Sequence, residues 1–290
     1  IYIRDNKTGE FWNVNWEPVQ KQYDKFECAH GLGYTVLTTC VDGIKANFRI
    51  FVPMGKDPVE LWTLKVTNAS DQPRSLSVFV YNQFQFKYKG GFDSYGDMIF
   101  RGSWFNRELN AVIACKHPHT KPHNYLTGFL TADETIAAFD GSRNAFVGMY
   151  STLERPAAVV NGVCTNTPGS SDATIGAIQF HLDLSAGMEK EISMILGVTD
   201  EEKNVAEFRD RYFGKYERYF QELKANKKDL VNRNKVHTPD LHLNRMMNGW
   251  IKQGALYGAK WCRWGWDGYR DIVQHGMGIA SVMPNRTKEI

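Results

Sequence analysis

Apolar and polar residues alternate through much of the first two thirds of the chain. In GIKANFRIFVP (43–53), Ile44, Ala46, Phe48, Ile50 and Val52 occupy every second position. That is the period of a strand with one face on a core. VELWTLKVTN (59–68) follows the turn signal Gly55-Lys56-Asp57-Pro58, and RSLSVFVYNQFQF (74–86) follows Asp71-Gln72-Pro73. Further on, Ile178, Phe180, Leu182 and Leu184 alternate, Ser185-Ala186-Gly187 turns the chain, and Ile192, Met194 and Leu196 alternate again. Short strands punctuated by Gly, Pro and Asp predict an antiparallel β-sandwich.

Near residue 199 the period lengthens. Val205, Phe208, Tyr212, Tyr216, Tyr219 and Leu223 are spaced by three and four, a helix face. Thr199 and Asp200 are candidate caps, Glu201 and Glu202 suit the positive helix end, and Gly214 interrupts the pattern. A second helix is expected from Thr238 as N-cap, with Pro239 in its first turn and Leu243, Met247, Trp250, Gly254 and Tyr257 on one face. DIVQHGMGIASVM (271–283) reads as a third, closed by Pro284. The fold is therefore mainly β with a helical C-terminal part. The expected divisions are a sandwich over 1–198, a helical linker over 199–237 and an α domain beginning at 238.

Composition narrows the function. With 290 residues, 35 basic and 32 acidic side chains, the net charge is only +3, and KANKKD (224–229) is a short solvated run. No basic stripe suits a nucleic acid. Five cysteines without pair spacing argue against a disulfide framework. With no leader-like segment and no long apolar span, this predicts a cytoplasmic protein that does not enter a membrane, in which the sequon Asn68-Ala69-Ser70 is idle. The chain begins without Met, and both of its ends read as cuts through a longer protein.

Three candidate sites carry chemistry. His117, His119 and His123 crowd a Pro-punctuated stretch, which reads as a loop and not a metal site, since only Cys115 is a nearby partner. FECAHGLGYT (26–35) places Glu27 and His30 beside Gly31 and Gly33, either a tight turn or part of a binding surface. WCRWGWDGYRDIVQH (261–275) is denser. Arg263 and Arg270 present planar forks suited to phosphate or carboxylate, Asp271 can accept from hydroxyls, and Trp261, Trp264 and Trp266 offer stacking faces. An Arg–Asp ion pair in a tryptophan-rich helix junction accounts for the same residues equally well, so chemistry alone leaves both readings open.

The order of several blocks adds weight. YIRDNKTGEFWNVNWEPV, ECAHGLGYT, the FVP…ELWTLKVTN run, LDLSAGMEKEISMILG, TPDLHLNRMMNGWIKQ, GYRDIVQ and MPNRTKEI together resemble the inverting cellobiose, cellodextrin and chitobiose phosphorylases, with cyclic β-1,2-glucan synthases as relatives. AKWCRWGWDGYRDIVQH looks closest to the cellodextrin phosphorylase branch. The resemblance implies a large N-terminal β-sandwich, a helical linker, and from residue 238 the first helices of an (α/α)6 barrel, usually in a homodimer. It implies phosphorolysis of a β-gluco-oligosaccharide with inversion, inorganic phosphate being a substrate and no cofactor or metal being required. It places Arg263 on phosphate, and Arg270, Asp271, Gln274 and Trp264 on the sugar. It puts the general-acid aspartate beyond residue 290. A non-catalytic carbohydrate-binding or dimerisation segment, a hydrolase, and a related β-1,2-glucan or chitobiose phosphorylase are the alternatives. Two departures stand out: the Arg263–Arg270 segment is shorter than in the cellobiose enzymes and lacks their additional arginine, and His275 stands where many members have Asp.

Overall fold

The structure, a computed structural model, describes residues 1–84, 101–116, 127–170, 173–261 and 268–290. They divide into two compact units, Ile1–Ala29 with Tyr34–Tyr216, and His30–Gly33 with Glu217–Ile290.

The first unit is a sandwich of two sheets. A five-stranded sheet contains β1 (Tyr2–Asp5), β2 (Phe11–Asn13), β7 (Arg74–Gln83), β11 (Ala138–Ser142) and β13 (Thr174–Leu184), in the order β11-β13-β7-β1-β2. A nine-stranded sheet contains β3 (Lys25–Gly31), β4 (Tyr34–Val41), β5 (Ile44–Phe51), β6 (Val59–Asn68), β8 (Arg101–Asn106), β9 (Ala111–Lys116), β10 (Thr127–Ala132), β12 (Gly169–Ser170) and β14 (Glu189–Thr199), in the order β12-β8-β9-β10-β14-β6-β5-β4-β3. The ladders are antiparallel; β13 and β7 run in register from Ile175 opposite Gln83 to Leu184 opposite Arg74.

The alternation in the sequence explains which faces meet. Ile44, Ala46 and Phe48 of β5 join Ile178, Phe180, Leu182 and Leu184 of β13, and Ile192 and Met194 of β14, in one core between the sheets. Val52, expected to continue the series, is half exposed, and Phe51 is buried instead. Phe51 points to the opposite face of its sheet, where its ring meets Tyr216 edge-on at 6.4 Å. That outer face is covered by α3 (Val205–Tyr212), with Phe208 stacked on Phe129 at 5.6 Å. Two further helices were not expected from the sequence. These are α1 (Arg143–Val147) and α2 (Ala157–Asn161), which bury Phe146, Val147, Ala158 and Val159 against Phe79, Ile175 and Ala177 on the outer face of the smaller sheet. Each is a single turn or so, too short for a period to show.

One corner binds the two sheets. Asp140 of β11 is fully buried and accepts from the backbone of Thr165 and Thr167 and from the Thr165 hydroxyl at 2.8 Å. Burial raises its carboxyl above the usual range. Beside it, a Cβ on Gly169 would lie 2.4 Å from the Gly141 carbonyl oxygen, so only glycine fits there.

The helical pattern breaks where the sequence hinted. The expected continuous face from Val205 to Leu223 is two helices, because Gly214 adopts φ +74° and ends α3 before α4 (Tyr216–Asn232) begins. In the second unit, Asp240, not Thr238, caps α5 (Leu241–Arg245), its carboxylate accepting from His242 N at 2.8 Å and Leu243 N at 3.1 Å. Pro239 therefore lies outside the helix. Thr238 is occupied by Asn244, whose Oδ1 takes both its N–H and its hydroxyl. A π turn over Met246–Trp250 follows, then α6 (Ile251–Trp261), α7 (Tyr269–Ile279) and α8 (Pro284–Glu289), the last opening on proline as expected.

The face expected for this helix is not its buried one. Leu243, Trp250 and Tyr257 are exposed, while Asn248, Lys252 and Gln253 are buried. The buried polar groups are all used. Asn248 exchanges two hydrogen bonds with Val236, at 2.8 and 2.7 Å, Lys252 Nζ donates to the carbonyls of Val231 and Arg233, and Gln253 Oε1 accepts from Lys227 at 2.9 Å. An ammonium on the free carbonyls near a helix C-terminus is a favourable arrangement. No helix among the described residues is long and apolar enough to cross a membrane.

Candidate functional site

The Arg270–Asp271 pair occupies the first turn of α7. Gly268 is its N-cap, with extended backbone and no side chain to take the free N–H groups. Asp271, third in the helix, supplies the negative charge that this end favours. A Cβ on Gly268 would lie 2.8 Å from Asp271 Oδ2, so the carboxylate folds back over the glycine and any larger residue would displace it.

Helical phase then separates the charged pair. Arg270 and Gln274, one turn apart, share the exposed face with Val273 and Met277; Asp271, Ile272 and His275 form a half-buried face above the buried Gly276 and Ile279. No ion pair joins Arg270 to Asp271. Among the described residues, then, neither the guanidinium fork nor the carboxylate has an ion-pair partner. Gln274 extends the row of Arg270 by one turn, adding an amide that donates and accepts.

His275 has a packing role. A Cβ on Gly258 would come within 2.9 Å of its Nδ1, so α6 and α7 approach closely where glycine faces the imidazole. On the other side, Thr287 of α8 donates from Oγ1 to the Gly276 carbonyl at 3.1 Å. The middle of α7 is thus held by neighbours on both flanks.

The HGLG stretch has two structural consequences. Gly33 has φ +90°, and a Cβ there would lie 3.2 Å from Leu223 Cδ1 and 3.3 Å from Lys227 Cε, so the turn requires glycine. His30, Gly31 and Leu32 also line an open cleft of about 460 Å³ with Lys235, Arg245 and Trp250. Nothing in the sequence separated these two roles, because the partners lie some 200 positions away. Glu27 is exposed on β3 and pairs with Lys25 at 3.2 Å.

Residues 1–215 match the model of the glycosyl hydrolase 94 supersandwich domain. The chain belongs to that family. Across its whole length it is 31% identical to a solabiose phosphorylase of Paenibacillus borealis, covering 38% of that protein, and 31% identical to an N,N'-diacetylchitobiose phosphorylase of Vibrio furnissii, covering 37%. A cellobionic acid phosphorylase of Neurospora crassa is 25% identical over 98% of the chain, which covers 36% of it. The chain therefore spans less than two fifths of the length of these curated relatives.

In this glycosyl hydrolase 94 chain, Arg270, Asp271 and Gln274 all lie on α7, whereas Arg263 and Trp264 lie outside the described residues, as do His117, His119 and His123. Among the described residues no three His, Cys, Asp or Glu side chains gather as metal ligands would. Among the described residues no disulfide joins Cys28, Cys40, Cys115 or Cys164; burial pushes the thiols of Cys115 and Cys164 upward, away from reactivity.

Proposed function

We propose that this glycosyl hydrolase 94 chain serves reversible phosphorolysis of β-glucosides with inversion. Phosphate oxygen attacks the anomeric carbon as the bond to the leaving oxygen breaks, an acid protonates that oxygen, and α-glucose 1-phosphate departs. The observation that carries this reading is the family match over residues 1–215, joined to relatives named as phosphorylases that align across the chain. Those relatives are named for different saccharides; our reading for this chain is a cellodextrin or cellobiose.

Phosphate replaces the activated water of an inverting hydrolase, so one carboxylic acid suffices. A dianion must instead be held beside the sugar, for which arginine is suited. We assign Arg263 to phosphate, Arg270 and Asp271 to the donor sugar, and Gln274 and Trp264 to the surrounding wall; none of them is assigned as the acid. The lack of an ion-pair partner for Arg270 and Asp271 among the described residues supports this. The reaction as proposed needs no metal or organic cofactor. We place it in the cytoplasm, in a homodimer, with residues 1–198 as sandwich, 199–237 as linker and 238–290 as the opening of an (α/α)6 barrel.

The test, made on the intact enzyme that carries the general acid, is phosphate-dependent release of glucose 1-phosphate from a panel of β-glucosides, cellobiose and cellodextrins included. Losing one such preorganised contact lowers turnover by roughly 100-fold or more. Asp271→Ala and Arg270→Ala should fall by that much with unchanged melting temperature. Near-normal turnover by Asp271→Ala would refute the site, and phosphate-independent release of glucose would refute the reaction.

A further inference from the structure

A second cleft, of about 520 Å³, opens in the sandwich unit. One wall is the β1–β2 turn, with Gly9 and Glu10, continuing into Phe11. The other is the connection between α1 and α2, with Glu154 and Arg155, and Val160 of α2. Lys21 crosses to Glu10 and forms an ion pair with it. The phosphorolysis site proposed above uses none of these residues.

Arg4 fixes the separation of the walls. Its NH1 donates to Asn6 Oδ1 at 3.2 Å and its NH2 to the Val160 carbonyl at 3.5 Å. Gly9 and Gly162, both at positive φ, bracket the guanidinium: Cβ atoms there would lie 3.5 Å from Arg4 NH2 and 3.1 Å from Arg4 Cζ. Its Nε is buried and has no hydrogen-bond partner. Arg4 thus links the β1–β2 turn to α2 beside the cleft.

Its chemistry selects a ligand class. Two carboxylates, Glu10 and Glu154, face two cations, Lys21 and Arg155, so the lining has no net charge. A phosphate ester would need a cationic excess, an amine an acidic one, and a lipid a continuous apolar wall. Interleaved donors and acceptors beside a small apolar patch of Phe11, Val19 and Val160 match a neutral polyhydroxylated ring. Its hydroxyls donate and accept at once, and its C–H face packs on apolar side chains. The volume lies within the range of about 300–1,000 Å³ usual for small-ligand sites.

We propose that this cleft is a non-catalytic binding site for a neutral β-linked disaccharide or the end of a longer chain, holding saccharide on the sandwich. The choice of saccharide rests on the phosphorolysis reading.

Calorimetric titration of the full chain with cellobiose, without phosphate, tests it. Saturable binding is expected, and it should persist in Asp271→Ala, which removes the proposed donor-sugar contact. Glu154 and Arg155 are exposed, so the double substitution Glu154→Ala/Arg155→Ala should fold normally and weaken binding at least tenfold. Val160→Trp, which fills the cleft, should abolish it. Absence of saturable binding overturns the proposal, as does wild-type affinity in both cleft variants. Turnover is measured separately, on the intact enzyme that carries the general acid: an enzyme that holds cellobiose in the cleft but releases no glucose 1-phosphate with phosphate sinks the phosphorolysis reading and sustains this one.

Discussion

Asn68 offers a sharp test of what holds the sandwich together. It ends β6, is fully buried, and uses both ends of its amide. Nδ2 donates to the carbonyls of Gln72 at 2.7 Å and Leu184 at 2.9 Å, and Oδ1 accepts from Ser70 N at 3.1 Å and Ser70 Oγ at 2.6 Å. One side chain thus ties the β6–β7 turn to the end of β13, across the two sheets. Asn68→Ala strands the buried Leu184 carbonyl, at about 1–3 kcal/mol, while the partly exposed partners recover water and lose about 0.5–1 kcal/mol more. A total of about 1.5–4 kcal/mol is expected. The assay is urea unfolding read from Trp12 and Trp62 in the core, where the midpoint should fall with an unchanged slope. Asn68→Asp should be worse at neutral pH, since it sets a carboxylate against two carbonyl oxygens, and should recover partly in acid. A loss under about 0.5 kcal/mol in Asn68→Ala, the range of an ordinary surface substitution, would refute the reasoning. The same geometry leaves the folded sequon no amide to offer a glycosyl donor.

At the α6–α7 contact two effects oppose each other. Gly258→Ala gains about 1 kcal/mol of helix propensity but drives a methyl onto His275, at about 1–3 kcal/mol, so the single variant should melt lower. Adding His275→Ala removes the clash, and the double variant should exceed His275→Ala alone by about 1 kcal/mol in a circular-dichroism melt. Tyr23 gives an alkaline signature: burial pushes its phenol up to about 12. Because the folded value exceeds the unfolded one of about 10, its contribution is complete below pH 10 and is lost as pH rises towards 12. Tyr23→Phe should flatten the fall of the unfolding midpoint across that window.

The alternating strands were the most legible part of the sequence. Ile178, Phe180, Leu182 and Leu184 are each at most 6% exposed, because one face of β13 meets the core between the sheets. Alternation misled only where a sheet is covered on both faces, as at Phe51. Capping residues were harder to place. Thr238 and Asp240 are both good caps, and the choice fell to Asp240 because Asn244 engages Thr238 from within the helix. The face of α6 was misread because its buried side carries polar residues, Lys252 and Gln253, which a count of apolar positions passes over. At the candidate site the residue types were visible, and so was the helix start. The divergence of Arg270 from Asp271 follows from their being neighbours on a helix, but the absence of an ion-pair partner among the described residues could be known only from the fold. The sandwich cleft left no signal, because Glu10 and Arg155 are brought together by the topology.

The π turn also acts as a phase shift. Ile251 N–H reaches the Met246 carbonyl five residues back, so the segment contains one residue more than a regular helix needs. One residue is about 100° of rotation. The direction in which α5 points its side chains is thus set by a count and not by which residues occupy the turn. Deleting any one position from 246 to 250 would rejoin two regular helices while rotating Asn244 and its bonds to Thr238 out of place. Point substitutions in the segment should be absorbed far more readily than a single deletion.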